Sequence, residues 1–331
     1  MPNINFSNIV KPVSVKLAGT EKLFSGLVKT EFESINFISS HILNTRGKML
    51  RPALLLLCAG VFGRIKQIAV SAAASVELMH TATLVHDDII DNSAMRRGCE
   101  SVNYKYGNAG AVLFGDYLYC QSFKVLGKFN DKFIAENLIS VAAKMCQGEL
   151  QQSLNSFKYD DCGMPLEEYI SLIKNKTAYF MAVCGKIGAY CSGASVKYVN
   201  LIENYGINLG IAFQITDDIF DWESKTDNIG KPVGNDLKEG KITLPLMLLI
   251  DKSAPSQKKE ILGIISSKNI NSEVISKLKK LMGEYGCIAD ARKMAGGYSK
   301  LAKDIILSLK IKNKYSESLI ELCDFVVSRN K

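Results

Sequence analysis

Apolar residues recur at intervals of three and four along most of the 331-residue chain, and short polar stretches separate these runs. This spacing puts apolar side chains on one face of a helix, whereas the two-residue alternation typical of strands is missing over long stretches. Glycine, asparagine and charged residues fill the breaks, as they do in loops. The pattern predicts helices over residues 25–43, 51–62, 66–90, 111–128, 131–155, 166–192, 196–220, 243–251, 256–267, 272–285, 289–311 and 316–328.

The longer breaks, at residues 96–110, 157–165 and 224–241, are polar, and none has the composition of a domain linker. We therefore expect an all-α fold in which residues 1–331 form one domain, a single large helical bundle. The interior of such a bundle is where side chains from facing helices build an active site, so we expect a central active-site cavity.

Composition narrows the class of protein. Hydrophobic residues make up 47% of the chain, but the longest wholly apolar run, Ala53–Phe62, is far shorter than a membrane-spanning helix, so we expect no transmembrane segment. The nine cysteines include no C-x-x-C pair, and the first residues lack the basic start and apolar stretch of a secretory signal. Both observations favour a cytoplasmic protein with reduced thiols.

The net charge of +8 makes a helical nucleic-acid-binding protein the alternative from a different functional class. However, the basic residues form no dense tract of the kind that binds nucleic acid. We therefore expect no nucleic-acid partner, and we interpret some of the basic residues as ligands for a smaller polyanionic substrate.

Two acidic pentads carry the most informative chemistry: "DDIID" at residues 87–91 and "DDIFD" at residues 217–221. The outer aspartates of each pentad are four residues apart, so they share a helix face, where like charges cost about 0.2–0.5 kcal/mol. The preceding residues are mostly apolar, which favours carboxylates that point into a cavity. Mg²⁺ uses one or two carboxylates together with water and phosphate oxygens, so two such pentads could hold a diphosphate between metal ions. The alternative is that each pentad merely supplies surface or capping acids at a helix end.

Basic residues stand at breaks in the apolar pattern close to these pentads. They are Lys48, Arg51, Arg96, Arg97, Lys176, Lys231 and Lys241. Arginine suits bidentate binding of phosphate and lysine supplies a point charge. Acids that bind a metal-bound diphosphate, together with bases that bind a bare diphosphate, indicate two phosphorylated substrates held side by side.

The motifs resemble, in their order and over nearly the full length, those of the trans-isoprenyl diphosphate synthases. The branch that the chain resembles most is the long-chain, octaprenyl-type polyprenyl diphosphate synthases, which make quinone side chains. The resemblance rests on "GKMLRP", "ELMHTATLVHDDIID", "MRRG", "FGDYLYCQSF", "CQGELQQ", "KTAYFMAVCGKIGA", "GIAFQITDDIFDW" and "KPVGNDLKEGKITLPLMLL".

The resemblance implies a role for each matching residue. Two or three Mg²⁺ ions are expected at Asp87, Asp88, Asp91, Asp217, Asp218 and Asp221. Isopentenyl diphosphate is expected at Lys48, Arg51, His80 and Arg97, where His80 lies two helical turns before Asp87 on the same face. The allylic diphosphate is expected at Arg96, Lys176, Thr177, Gln214, Lys231 and Lys241. The residues expected to be catalytic are Asp87, Asp91, Asp217, Lys176 and Lys231.

The implied reaction condenses isopentenyl diphosphate repeatedly with an allylic, farnesyl-type diphosphate and releases a long-chain all-trans polyprenyl diphosphate. Alternatives within the family are the shorter-chain farnesyl and geranylgeranyl diphosphate synthases. The resemblance also implies a homodimer, with a peripheral membrane contact for product release. Terpene cyclases share the first pentad, but a second D-D-x-x-D motif is not typical of them.

Product length is expected to depend on the wall behind the first pentad. The residues that we assign to this wall are Ala82, Thr83, Met79, Val76 and Ser75. None of them is aromatic and most are small, so a tunnel could run along this helix for roughly 15 Å over ten residues. On this interpretation, replacing Ala82 with Phe narrows the tunnel and shortens the product.

Overall fold

The computed structural model describes residues 5–157, 164–223 and 233–329. Its helices are α1 (Phe6–Ile9), α2 (Ser14–Leu27), α3 (Glu33–Asn44), α4 (Leu50–Phe62), α5 (Gln67–Ile90), α6 (Val102–Gly127), α7 (Lys132–Asn155), α8 (Leu166–Ile173), α9 (Tyr179–Cys191), α10 (Val196–Glu223), α11 (Asn235–Lys238), α12 (Leu244–Lys252), α13 (Pro255–Ser266), α14 (Ser272–Glu284), α15 (Cys287–Ser308) and α16 (Lys314–Ser328). A 3₁₀ turn at Lys11–Val13 follows α1, and a π-helical turn at Lys174–Ala178 joins α8 to α9. Within the described ranges the strands are β1 (Met95–Arg96) and β2 (Cys99–Glu100), which form a small antiparallel hairpin, and the prediction of an all-α fold is confirmed.

Helices α4, α5, α9 and α10 form the centre of the bundle, where their apolar side chains share one core with those of α16. Close approach between these helices requires glycine at two positions. A Cβ on Gly188 of α9 would collide with the Leu55 carbonyl of α4, and one on Gly206 of α10 would collide with the Ala182 backbone of α9. A second core joins α10 to α12–α15, and a third joins α5 to α2, α3 and α6. Helices α5 and α10 are therefore held from several sides, and each carries an acidic pentad at its C-terminal end.

Helix α5 meets the length and hydropathy of a membrane span, contrary to the expectation from the longest apolar run. Of its most apolar 18-residue window, 72% is buried inside the protein. Because the central helix of a globular bundle has the same composition, this observation is weak support for a membrane span.

The prediction of one helix over residues 25–43 is wrong, because α2 ends at Leu27 and α3 begins at Glu33. Asn36 causes the break by bonding to Thr30 twice. Its side-chain amide donates to the Thr30 carbonyl at 2.9 Å, and its side-chain oxygen accepts from the Thr30 N–H at 2.9 Å. Such side-chain bonds compete with the helical ladder, and apolar spacing alone does not reveal them.

Two other predicted boundaries differ near the acidic pentads. The predicted helix 166–192 contains the π-helical turn, a feature that often marks functional sites. The predicted break 96–110 holds the hairpin and then the first turns of α6, which begin under a cap from Ser101 and bend at Gly107, where φ is +80°.

Candidate active site

The C-terminal ends of α5 and α10 meet at a cavity of about 620 Å³, which we call the acid-lined cavity. Asp87 and Asp217, the first aspartates of the two pentads, both line it. The rest of its wall comes from α4, the hairpin, α6, α7, the π-helical turn and α9, and it combines apolar side chains with polar and charged ones. A volume of this size suits a small-molecule substrate. The structure therefore brings the two pentads, 130 residues apart in sequence, to one space.

Asp87 lies in a crowded negative environment. Burial, followed by the negative charge of Glu149 of α7, raises the pKa of Asp87 to about 7, against the opposing charge of Lys176. Lys176 pairs with Glu149 at 2.7 Å and also donates to Gln152. A buried carboxylate with so little compensation is stabilised when a cation binds beside it.

The last aspartate of the first pentad has a basic partner. Lys241 Nζ donates to Asp91 Oδ1 at 2.8 Å and to Glu239 Oε2 at 2.6 Å. Burial alone would lower the pKa of Lys241, but the two carboxylates outweigh it and raise the pKa. Lys241 therefore remains a cation next to the pentad.

Asp217 contacts a residue that sequence reasoning missed. Arg329, just after α16, donates to Asp217 Oδ1 at 2.6 Å and to the Phe213 carbonyl at 3.2 Å, and its guanidinium stacks 3.8 Å from the Phe213 ring. Arg329 is 112 residues from Asp217 along the chain, so no local spacing could indicate the pairing.

Sequence reasoning assigned all six pentad aspartates to metal, but besides the Lys241–Asp91 and Arg329–Asp217 pairs the structure gives three more of them protein partners. Asp88 is 2% exposed and pairs with Arg96 at 2.6 Å. Arg96 was expected at the allylic diphosphate, and the structure places its guanidinium on Asp88 instead. This pair fixes the hairpin that follows the first pentad.

The other two aspartates, Asp218 and Asp221, connect the second pentad to neighbouring parts of the protein. Asp218 accepts from Tyr169 at 2.6 Å and from Gln214 at 2.9 Å, and burial raises its pKa to about 7. Asp221 accepts the backbone N–H groups of Asn235 and Asp236, at 3.0 and 3.2 Å, and so caps α11. Burial, followed by the charge of Asp236, raises the pKa of Asp221 to about 8.

The remaining aspartates, Asp87, Asp91 and Asp217, offer the donor set that Mg²⁺ uses. No three carboxylate, histidine or cysteine side chains among the described residues converge closely enough to hold a metal by themselves. Mg²⁺ usually takes one or two carboxylates, keeps several waters and takes its other ligands from substrate phosphates. The uncompensated charge at Asp87 fits a cation there.

A second cavity of about 520 Å³, which we call the cation-lined cavity, shares Arg51, His80, Arg97 and Phe213 with the first. Its wall also includes Lys48 and Arg329. Arg46 also lines this cavity, so five basic side chains and one acid, Glu77, surround a space next to the acidic pentads. The excess of positive charge suits an anionic group.

Two contacts fix the shared wall. Arg51 Nη1 lies 3.0 Å from His80 Nε2, and the guanidinium lies 5.2 Å from the Phe180 ring. Burial, followed by the charge of Arg51, lowers the pKa of His80 well below its ordinary value, so the ring is neutral. Arginine only donates, so His80 Nε2 accepts this bond.

The hairpin presents Arg97 in a strained conformation. Its φ is +53° and that of Gly98 is +78°, as in the two-residue turns that need positive φ at both positions. Arg97 Nη1 donates to the Thr45 carbonyl at 3.1 Å. A Cβ on Gly47 would collide with the Arg97 guanidinium, so this glycine leaves the space that Arg97 fills.

Three of the six residues predicted for the allylic diphosphate lie at the acid-lined cavity. Lys176, Thr177 and Gln214 line it, and the π-helical turn brings Lys176 and Thr177 to the same side. Lys241 contacts Asp91 at the edge of the pentad. Lys231 lies outside the described residues.

The expected wall for product length is revised. Helix α5 contributes Thr83 to the acid-lined cavity, whereas Ala82 lies in the core shared with α2, α3 and α6. Because His80, Thr83 and Asp87 share one helix face, the face of Ala82 is turned away. The other residues assigned to this wall are also packed elsewhere: Met79 and Val76 lie in the central core, and Ser75 bonds to Ser122 of α6.

Residues from neighbouring helices complete this wall. Tyr119 of α6 and Met145 of α7 line the cavity together with Thr83. The His86 ring stacks on Tyr119 with the ring centroids 6.0 Å apart. Tyr119 and Met145 are both far from the first pentad in sequence, so only tertiary packing identifies them as part of this wall.

Comparison with known proteins agrees with this arrangement. Residues 33–282 match the family described as Polyprenyl synthetase. Geranylgeranyl diphosphate synthase of Saccharolobus solfataricus is 30% identical over 335 residues, covering 99% of this chain and 98% of the relative. Octaprenyl diphosphate synthase of Escherichia coli is 29% identical over 330 residues, covering 99% of this chain and 100% of the relative.

Solved structures show the same likeness across the whole fold. The polyprenyl synthase of Caulobacter crescentus, determined with calcium and isoprenyl diphosphate, superimposes with a TM-score of 0.93 at 30% identity, covering 100% of both chains. The likeness includes the helices that carry both pentads, so the geometry described above lies within the common fold.

Proposed function

The chain belongs to the polyprenyl synthetase family, a family of prenyltransferases, and from this premise we propose that it joins isopentenyl diphosphate to an allylic diphosphate. The observation that carries the proposal is the pair of cavities that share Arg51, His80 and Arg97. One cavity carries acids and an apolar wall, and the other carries cations. Two anionic substrates can therefore lie side by side with their hydrocarbon ends in one apolar space.

The acid-lined cavity is assigned to the allylic substrate. Lys176 and Lys241 supply positive charge for its diphosphate, and the apolar wall that includes Tyr119 and Met145 surrounds its chain. Asp87, Asp91 and Asp217 would hold Mg²⁺, which would supply positive charge to offset the negative charge of the leaving diphosphate.

The cation-lined cavity is assigned to isopentenyl diphosphate, held by Lys48, Arg51 and Arg97. The allylic C–O bond breaks with its electron pair on the diphosphate, the isopentenyl double bond attacks the resulting cation, and a proton leaves to the diphosphate. The protein supplies no nucleophile. Its side chains orient the two substrates and exclude water, which would otherwise trap the cation.

We propose a long-chain product of the octaprenyl type, for a quinone side chain. Thr83 supports this because its side chain at this point of the α5 wall is small and is not a phenyl or phenol ring. The E. coli octaprenyl diphosphate synthase, alignable over nearly the whole chain, gives further support. Geranylgeranyl diphosphate synthases are relatives of similar identity. A geranylgeranyl product is therefore the alternative. We also propose that the enzyme works in the cytoplasm.

The decisive experiment supplies labelled isopentenyl diphosphate with farnesyl diphosphate and Mg²⁺, followed by reversed-phase chromatography of the products. A ladder that ends at a long polyprenyl diphosphate supports the full proposal. A single product one unit longer than the starter supports the short-chain alternative. Absence of transfer with farnesyl, geranyl and geranylgeranyl starters would refute the enzymatic assignment.

We expect Thr83→Phe to shorten the product by several isoprene units while the first condensation continues. A phenyl ring on this cavity-facing position occupies the path of the growing chain, and a packed interior absorbs such a ring only at a cost of about 1–3 kcal/mol. The volume-matched control, Thr83→Val, removes the hydroxyl and should keep the wild-type length. Wild-type length from Thr83→Phe would show that the chain grows along another wall.

Exposed apolar stripes on α6 and α7 support the proposed homodimer. Leu113 and Phe123 mark the stripe on α6, and Ile139, Leu150 and Leu154 mark the one on α7, with Leu113 68% exposed. Neighbouring stripes of this kind on adjacent helices are unusual for a monomer surface and typical of an interface.

The dimer is tested with Leu113→Asp combined with Ile139→Asp. We expect this variant to elute as a monomer, because two charges in an apolar interface are not compensated. Light scattering after size-exclusion chromatography measures the mass. The matched control is Leu301→Asp on α15, a leucine of comparable exposure, 53%, which should leave the dimer intact. A dimeric double variant would place the interface elsewhere.

A further inference from the structure

A hydrogen-bond chain behind the acid-lined cavity connects a buried tyrosine to two cavity-lining side chains. Tyr169 of α8, 1% exposed, donates its hydroxyl to Asp218 Oδ2 at 2.6 Å. Gln214 Nε2 donates to Asp218 Oδ1 at 2.9 Å, and Thr177 Oγ1 donates to Gln214 Oε1 at 2.7 Å. Gln214 and Thr177 line the cavity, whereas Tyr169 lies behind them.

The chemistry of these groups determines which atom donates at each link. An amide nitrogen only donates, so Gln214 Nε2 donates to one oxygen of Asp218, and the Tyr169 hydroxyl donates to the other. The Gln214 carbonyl oxygen is then turned toward Thr177, whose single hydroxyl proton is used there. Thr177 can therefore present only oxygen lone pairs to the cavity, and Gln214 can present its second N–H.

We propose that Tyr169 is a positioning residue for prenyl transfer, acting through Asp218 and Gln214 to hold the Thr177 lone pairs toward the forming allylic cation. This inference rests on the proposed function, because it requires a reaction in which positive charge develops in the cavity. A fixed dipole directed at developing charge stabilises the transition state more than the bound substrate. The effect of Tyr169 therefore falls on kcat rather than on KM. The same chain of hydrogen bonds gives a role to Asp218, the second aspartate of the second pentad, which accepts from Tyr169 and Gln214.

The first test is Tyr169→Phe, which removes one hydroxyl and keeps the ring. We expect kcat to fall about tenfold, the loss expected for one hydrogen bond to a charged group. KM for both substrates should stay within about twofold of wild type. The matched control is Tyr205→Phe, because Tyr205 is also fully buried and donates to the Leu319 carbonyl at 2.9 Å, outside the cavity. It should lose comparable thermal stability and keep its kcat.

The second test compares Gln214→Leu with the double variant Gln214→Leu/Tyr169→Phe. If Tyr169 acts through Gln214, the double variant is no slower than Gln214→Leu alone. Losses that multiply would overturn the inference, as would a Tyr169→Phe enzyme with the kcat of Tyr205→Phe.

The variants at Thr177 keep the inference testable if Tyr169→Phe does not fold. Thr177→Ser should retain kcat and Thr177→Val should lose it, whereas equal kcat in both would overturn the inference. A wild-type chain without transferase activity would remove the proposed function and the inference together. An active wild type with an unaffected Tyr169→Phe would remove the inference alone.

Discussion

Turnover by Asp87→Asn is expected to fall about a thousand-fold or more, because the variant loses a ligand for the ion that stabilises the leaving diphosphate. Asp87 lines the acid-lined cavity, and its carboxylate has too little compensating charge in the protein alone. Asn keeps the shape and one oxygen but cannot supply the negative charge. The measurement is the initial rate of labelled isopentenyl diphosphate incorporation across a Mg²⁺ titration.

A measurement of thermal stability distinguishes the loss of a metal ligand in Asp87→Asn from misfolding of the variant. The pKa of Asp87 in the folded protein, about 7, is above its ordinary value of 3.8, so the folded state binds more protons between these values. Its carboxylate therefore lowers the free energy of unfolding as pH rises from about 4 to 7. In metal-free protein at pH 7.5, Asp87→Asn should unfold at the wild-type temperature or higher.

The control for charge alone is Asp304→Asn, an exposed acid on α15 that should behave as wild type. A near-normal rate with an unchanged Mg²⁺ requirement in Asp87→Asn would exclude Asp87 as a ligand. The same result in Asp217→Asn would exclude the metal site at both pentads.

The sequence predicts well those features that depend on residues close together in the chain. The helices that carry the pentads, the position of the pentads at their ends and the basic residues after the first pentad all follow from local spacing. The physical reason is that helix periodicity and capping act over a few residues. The prediction over residues 25–43 failed because Asn36 and Thr30 form bonds that apolar spacing does not encode.

Features that depend on tertiary packing could not be predicted in this way. Arg329 reaches Asp217 only because α16 packs against α10, and Tyr119 joins the cavity only because α6 packs on α5. The sequence-based prediction places Ala82 in the cavity wall because it counts residues back from Asp87 and does not consider the direction in which each helical side chain points. A residue five positions away points in a different direction from one four positions away.

The sequence also does not distinguish the different structural roles of the six pentad aspartates. Asp87 and Asp217 line the acid-lined cavity and Asp91 pairs with Lys241, whereas Asp88, Asp218 and Asp221 lie outside the cavity lining and bond to other parts of the protein. Their partners are Arg96, Tyr169 and the start of α11. A repeated motif thus combines ligands with the groups that hold those ligands in place.

The remaining large effect is expected at the wall between the two cavities, in Arg51→Ala. We expect KM for isopentenyl diphosphate to rise about a hundred-fold, the cost of removing one charged partner from a desolvated anion site. Arg51 is partly buried and lines a cavity with Lys48, Arg97 and Arg329, and burial lowers its pKa. Arg51→Lys should be intermediate, because lysine keeps the charge but lacks the fork that reaches both His80 and a phosphate.

KM for the allylic starter should change little in Arg51→Ala, because Lys176 lines the acid-lined cavity and Lys241 lies on Asp91 beside it. The reciprocal variant, Lys176→Ala, should raise KM for the allylic starter and spare isopentenyl diphosphate. Folding should survive the loss of Arg51, because burial already raises the pKa of the neighbouring Glu77 to about 7. Without the arginine, that carboxyl can take up a proton instead of remaining as an unpaired charge. Steady-state kinetics with each substrate varied in turn decide the matter: if Arg51→Ala and Lys176→Ala raise both KM values equally, the two diphosphates do not occupy separate cavities.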